Sequence, residues 1–139
     1  MKAIAATLLM LAILTTARAQ GGGTLTLACN GTTSDGMVED AKREPISMGI
    51  IVNFTTRTIQ GFHAPGLLDY PVKVTGWDDV TVVFSGSQNI GGISTSINGT
   101  IDRVTGDVQA SETSVNTKTS NYISASNYVL KCRPTQRMF

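Results

Sequence analysis

The sequence predicts an all-β protein: one antiparallel meander of about seven or eight strands, closed or nearly closed into a barrel, with a β-sandwich as the alternative. Three observations predict it. Apolar and polar residues alternate with a period of two over most of the chain, the spacing that puts one face of a strand inward. Glycine, proline, asparagine and aspartate fall between the alternating runs, where turns are needed. And the two cysteines, Cys29 and Cys132, sit on the apolar faces of the first and last alternating segments.

The first segment, 24–29, reads TLTLAC, with Leu25, Leu27 and Cys29 on one face. Residues 31–45 follow as a flexible excursion or a short helix, in which Asp35 caps Met37–Arg43 and Pro45 stops it. The antiparallel meander is expected over 46–132. It opens with ISMGIIVNF, where Ile46, Met48, Ile50, Val52 and Phe54 share a side, and a returning strand runs from Thr58 to Phe62. HAPGLLDYP, with Pro65-Gly66 and Pro71, is a loop. VKVTGWDDVTVVF is two short strands about Gly76-Trp77-Asp78-Asp79. In the second, Val80, Val82 and Phe84 face one way, and Val83 on the other side suggests cover on both faces.

The hairpin GGISTSINGTIDRVTGDVQAS is the clearest local signal. Ile93, Thr95, Ile97, Gly99 and Ile101 alternate with polar residues, the chain turns over Asp102–Gly106, and Val108 and Ala110 resume the inward face. Aspartate opening such a turn accepts backbone N–H bonds, and glycine near its end takes a positive φ. SETSVNTKTSN reads as a polar exposed loop. YISASNYVLKC is the last strand, with Tyr128, Leu130 and Cys132 on one face, and 133–139 is a tail.

Residues 1–19 have the three parts of a secretory leader: Lys2, an uncharged and mostly apolar stretch from Ala3 to Leu14, and Ala17-Arg18-Ala19 as a cleavage site. The apolar run is shorter than the roughly 20 residues a membrane-spanning helix needs. Cleavage after Ala19 leaves one domain, 20–139, of 120 residues. In an exported chain an even cysteine count reads as a disulfide, and two cysteines allow one intramolecular bridge, Cys29 to Cys132. Free thiols and a metal pair are the alternatives; two cysteines with one distant histidine make a poor zinc site. A bridge closing a loop of about 100 residues is worth about 4.7 kcal/mol in the chain-entropy account. Joining the first strand to the last, it points to a closed sheet.

Charge excludes some partners. Without Lys2 and Arg18 the chain carries nine Lys and Arg against ten Asp and Glu. That balance makes no field for nucleic acid, and no second apolar run is long enough to span a membrane.

The leader, the IDRVTGDV hairpin and the closing YVLKCRPTQRMF resemble small exported bacterial proteins of unknown function, mostly alphaproteobacterial. The resemblance implies a periplasmic or secreted location and this fold, and carries over no catalytic or ligand-binding residue.

Few residues stand out as chemistry. His63, the only histidine, would have to serve as the base of any Ser or Cys hydrolase, with Asp69, Asp78 or Asp79 nearby; no G-x-S-x-G elbow supplies a nucleophile. Trp77 with Asp78 and Asp79 suits a sugar-binding surface, or equally a tight turn. Asp35, Glu39 and Asp40 lack the ordered ligand spacing of a calcium loop. No cofactor motif is present. The expected function is therefore a non-catalytic exported domain binding an envelope or extracellular protein or polymer, with Trp77, Asp78, Asp79 and His63 as candidate contacts and an apolar patch at Trp77 or Phe139. An apolar-ligand carrier, its interior plugged or lined by Met37, Met48, Phe54, Phe62 and Phe84, and a weak hydrolase using His63 are the alternatives.

Overall fold

The computed structural model describes residues 23–62 and 71–135. The leader, His63, Asp69, most of the HAPGLLDYP loop and the end of the tail, with Phe139, lie outside them. Eight antiparallel strands follow one another around a closed barrel: β1 (Thr24–Asp35), β2 (Glu44–Asn53), β3 (Thr58–Gln60), β4 (Val72–Trp77), β5 (Thr81–Ile90), β6 (Ile93–Asp102), β7 (Asp107–Asn116) and β8 (Tyr122–Pro134). The meander is a barrel and not a sandwich, because β8 pairs back onto β1 from Leu27↔Pro134 to Asp35↔Ser126.

That seam is where the cysteines meet. Cys29 and Cys132 are directly opposed in the register and joined by a disulfide, with Cα atoms 4.0 Å apart and 103 residues between them in sequence. Both are buried. Period-2 alternation explains the placement: Leu25, Leu27 and Cys29 point inward from β1, and Tyr128, Leu130 and Cys132 do so from β8.

The inward faces form one core. Ile50 and Val52 (β2), Ile59 (β3), Val72 and Val74 (β4), Val82 and Phe84 (β5), Ile97 and Ile101 (β6), and Val108 and Ala110 (β7) are buried together. Each large apolar side chain removed from water contributes about 1.5–3 kcal/mol. β3 is only three residues long, and after it the chain turns Phe62 into the interior, stacked on Phe84 at 5.1 Å and edge-on to Tyr128 at 5.9 Å. Gly99 makes room for that stack. A Cβ there would come within 2.5 Å of both the Phe84 ring and the Gln109 carbonyl.

The outward faces are mostly polar, with Val83 and Val129 exposed among them. Ser85, Ser87, Asn98, Thr100, Gln109, Asn127 and Lys131 are exposed, the inverse of the apolar outer band that a lipid-facing barrel needs. Among the described residues no helix is long and apolar enough to cross a membrane.

Four local expectations are corrected. The excursion expected over 31–45 narrows to 36–43, and the short helix, its alternative reading, does not form. Asp40 has φ 59°, a left-handed conformation inside the expected helix, and Asp35 caps a turn by accepting the Met37 N–H at 2.8 Å. The flanking residues extend β1 and β2 instead, pairing Thr32 with Pro45 and Thr33 with Glu44. Proline is tolerated there because β3 is too short to pair with that end of β2. Residues 111–116, expected as loop, complete β7; only 117–121 turn. β8 runs on to Pro134, so the tail begins later than 133. Val83 is uncovered, not sandwiched: it faces outward and is exposed, as is Val80 in the preceding turn.

Candidate functional site

The strands define two ends. At one, here the turn end, the connections are short: 54–57, 78–80 and 103–106. At the other, the loop end, lie the excursion 36–43, the end of β3, the start of β4, the β5–β6 turn and the β7–β8 turn.

All three connections at the turn end open with Asn or Asp, whose carboxyl or amide oxygen organises the turn. Asn53 Oδ1 accepts the Thr56 N–H at 2.9 Å. Asp78 Oδ1 accepts the N–H groups of Val80 and Thr81, at 2.8 and 2.7 Å. Asp102 Oδ1 accepts those of Val104 and Thr105, both at 2.8 Å. Backbone donors favour the ionised carboxylate, so these bonds hold Asp78 and Asp102 below the ordinary carboxylate value. Asp107 is held low as well, by the Thr105 hydroxyl and by Lys131, whose Nζ lies 2.9 Å away. Gly106 closes the last turn with φ 77°, its backbone against the Cys132 carbonyl, where a side chain has no room.

These turns assemble a cluster no single one contains. Trp77, at the end of β4, is 44% exposed. Phe54, from the first turn, meets it with ring centroids 6.0 Å apart at a 58° tilt. The Arg57 guanidinium lies over the indole, 5.1 Å from its centroid, and that of Arg103 lies over Phe54 at 5.7 Å. The order is Arg57, Trp77, Phe54, Arg103. Backbone bonds fix it: Val74 N–H donates to the Arg57 carbonyl at 3.0 Å and Arg103 N–H to the Val80 carbonyl at 2.6 Å. The Arg103 guanidinium also donates to the Asp78 carbonyl. Arg57 itself has φ 54°, a conformation that costs a residue other than glycine roughly 1–2 kcal/mol.

The expected site residues therefore separate. Trp77, Asp78 and Asp79 stand together at the turn end. Asp78 is committed to its own turn, and Asp79 is exposed beside it. Phe54, Arg57 and Arg103 were not expected there. Phe54, expected as an interior residue, packs only partly against the core. Of the other expected plugs, Phe62 and Phe84 are in the core, Met48 packs against it, and Met37 is exposed.

The loop end differs inside. Glu112, Thr95 and Ser114 are buried in the barrel. The Thr95 and Ser114 hydroxyls bond at 3.0 Å. Glu112 lies opposite Ser126 in the register. The Tyr128 phenol is pushed up by burial and by the charge of Glu112, against a hydrogen bond to Ser126 that pulls it down. An open crevice of about 530 Å³ lies beyond, between the 36–43 excursion and the start of β8, bordered by Thr33, Met37, Val38, Ser124 and Ser126 among others. Among the described residues no group of three or more His, Cys, Asp or Glu is placed to hold a metal ion.

Comparison with protein-family models, curated proteins and solved structures finds no match to this chain.

Proposed function

We propose that the protein is an exported, non-catalytic binding domain, whose turn end engages a protein or polymer of the envelope or extracellular space. The observation that carries the reading is the fixed stack of Arg57, Trp77, Phe54 and Arg103, half open to solvent on a rigid barrel. Exposed aromatic and arginine side chains on ordered elements are the residues that dominate binding surfaces. The buried disulfide is consistent with an oxidising compartment, and with the leader it supports export.

Two observations favour binding over hydrolysis. Asp78, the most plausible acid beside Trp77, is kept ionised by backbone donors, whereas glycosidic cleavage needs one carboxylic acid held protonated. Its oxygen is also occupied in forming the turn. The carrier reading is disfavoured because Phe62, Phe84, Tyr128 and the valine and isoleucine side chains around them occupy the apolar half of the interior.

The test is sedimentation of purified protein with envelope fractions. Trp77→Ala and Arg103→Ala abolish association, and Val129→Ser, on the outer wall, leaves it intact. Equal sedimentation of all four proteins removes the turn end as the binding face.

A further inference from the structure

We infer that the ligand of the turn end is an uncharged, hydroxyl-rich polysaccharide, held with an apolar sugar face on Trp77 and its hydroxyls shared between Arg57 and Asp79. This rests on the reading of the turn end as the binding face and adds the class of ligand.

Charge comes first. The turn end carries Arg57, Arg103 and Arg133 against the carboxylates of Asp78, Asp79 and Asp102, and the Asp107–Lys131 pair is neutral as a unit. Such a surface has no net positive field to attract a polyanion and no strong negative one for a polycation. What it offers is donors and acceptors close together around an aromatic ring. A sugar presents the same combination: hydroxyls that both donate and accept, and C–H faces that pack on a ring.

Arg57 is the second observation. Among the described residues no carboxylate pairs with its guanidinium, and the indole is the one contact that group makes. Arg57 occupies a left-handed position that glycine or asparagine fills more readily, and its side chain contributes to the fold only through the cation–π contact with the indole. The guanidinium lies over the indole, its carbon 5.1 Å from the ring centroid, where the C–H face of a pyranose would stack. Ligand entry displaces it sideways, and its five N–H donors, in a fixed planar fork, reach the hydroxyls at the ring edge. Asp79, exposed and outside the Asp78 turn bonds, accepts from the same sugar.

The protein supplies its own reporter, because Trp77 is its single tryptophan. Full-length mature protein is titrated with soluble fragments of neutral polysaccharides (β-glucan, dextran, chitin oligomers) and, in parallel, with alginate and polygalacturonate, following indole emission. Binding is also read by depletion onto the insoluble polymers. A saturable emission change with at least one neutral polymer is expected, with binding weakened about tenfold by Arg57→Ala and by Asp79→Asn, the loss typical of removing one charge-assisted hydrogen bond. The far-wall variant Val129→Ser binds as the parent does. Both site variants are surface changes, and thermal melting confirms that they fold.

Binding to the uronates alone overturns the inference in favour of an anionic ligand. Neutral-polymer binding that ignores both variants overturns the assignment of site. If no polysaccharide binds while envelope sedimentation still requires Trp77, the inference falls and the turn end remains a docking face for a protein.

Discussion

The two ends of the barrel are built from the same strands but stabilised differently. Toward the turn end the inward side chains are Leu27, Val52, Val74, Val82, Ile101, Val108 and Leu130, and the connections are short turns closed by Asn53, Asp78 and Asp102. Toward the loop end the inward positions become Thr95, Glu112 and Ser114. There β3 and β4 have already ended, so β2 and β5 each lose a neighbour. Burial of apolar surface holds one end, and paired polar groups inside a six-strand arc hold the other. The difference teaches that a barrel can concentrate its stability where it presents a rigid surface, leaving the far mouth polar.

Substitutions can break or sharpen that contrast. The largest effect is expected from Phe84→Ala, which removes a fully buried ring from the core, the one stacked on Phe62. Loss of about 3–5 kcal/mol is expected, read by chemical denaturation. A loss below 1 kcal/mol would mean the apolar half is not the main source of stability. Replacing both cysteines by serine should cost about 2–5 kcal/mol and expose the β1–β8 seam to hydrogen exchange before any other pair of strands.

Smaller effects separate the ends. Asp102→Ala removes the oxygen that organises the β6–β7 turn and is expected to cost about 1 kcal/mol, by analogy with losing a helix cap. Thr95→Val with Ser114→Ala removes both members of the buried hydroxyl pair and should be nearly neutral, whereas Thr95→Val alone strands the Ser114 hydroxyl and costs about 1–3 kcal/mol. If single and double variants lose equally, that pair is not what holds the loop end.

Strong acid should weaken the turn end. The folded-state values of Asp78, Asp102 and Asp107 lie below the ordinary 3.8. Their contribution is therefore fully present above that value and is lost as pH falls through the lowered ones. Melting temperature recorded from pH 5 to pH 2 should fall less for Asp102→Asn than for the parent, because the variant no longer titrates at that turn. Parallel curves would remove the carboxylate from the account of acid sensitivity.

What the sequence disclosed follows the same division. The β6–β7 hairpin was legible because Ile97, Ile101, Val108 and Ala110 alternate with polar residues about an Asp102–Gly106 turn. The disulfide was legible from parity and from there being only two cysteines. The second half of β7 was not: with Glu112 and Ser114 facing inward, the apolar period disappears although the strand continues. The end of β1 was hidden for a related reason, since Gly31 and Thr33 take inward positions without an apolar signature. Trp77 and the aspartates beside it marked a surface turn, but Phe54, Arg57 and Arg103 come from 20 or more residues away and meet Trp77 only once the barrel closes. Separate turns carry no sign of one another in a linear chain.

The position of the sulfur bridge bears on how the molecule responds to being pulled. The described chain enters beside Phe54, whose N–H bonds to the Gly23 carbonyl, and leaves where the Thr135 N–H bonds to the Thr26 carbonyl. A tether attached before Gly23 and another after Thr135 would draw β1 and β8 apart at the same rim. Peeling can advance only as far as Cys29 and Cys132; beyond them tension runs through a covalent bond, and the remaining strands carry none of the load. An anchored copy under shear would keep its barrel intact, and a reductant would convert it into a chain that unravels.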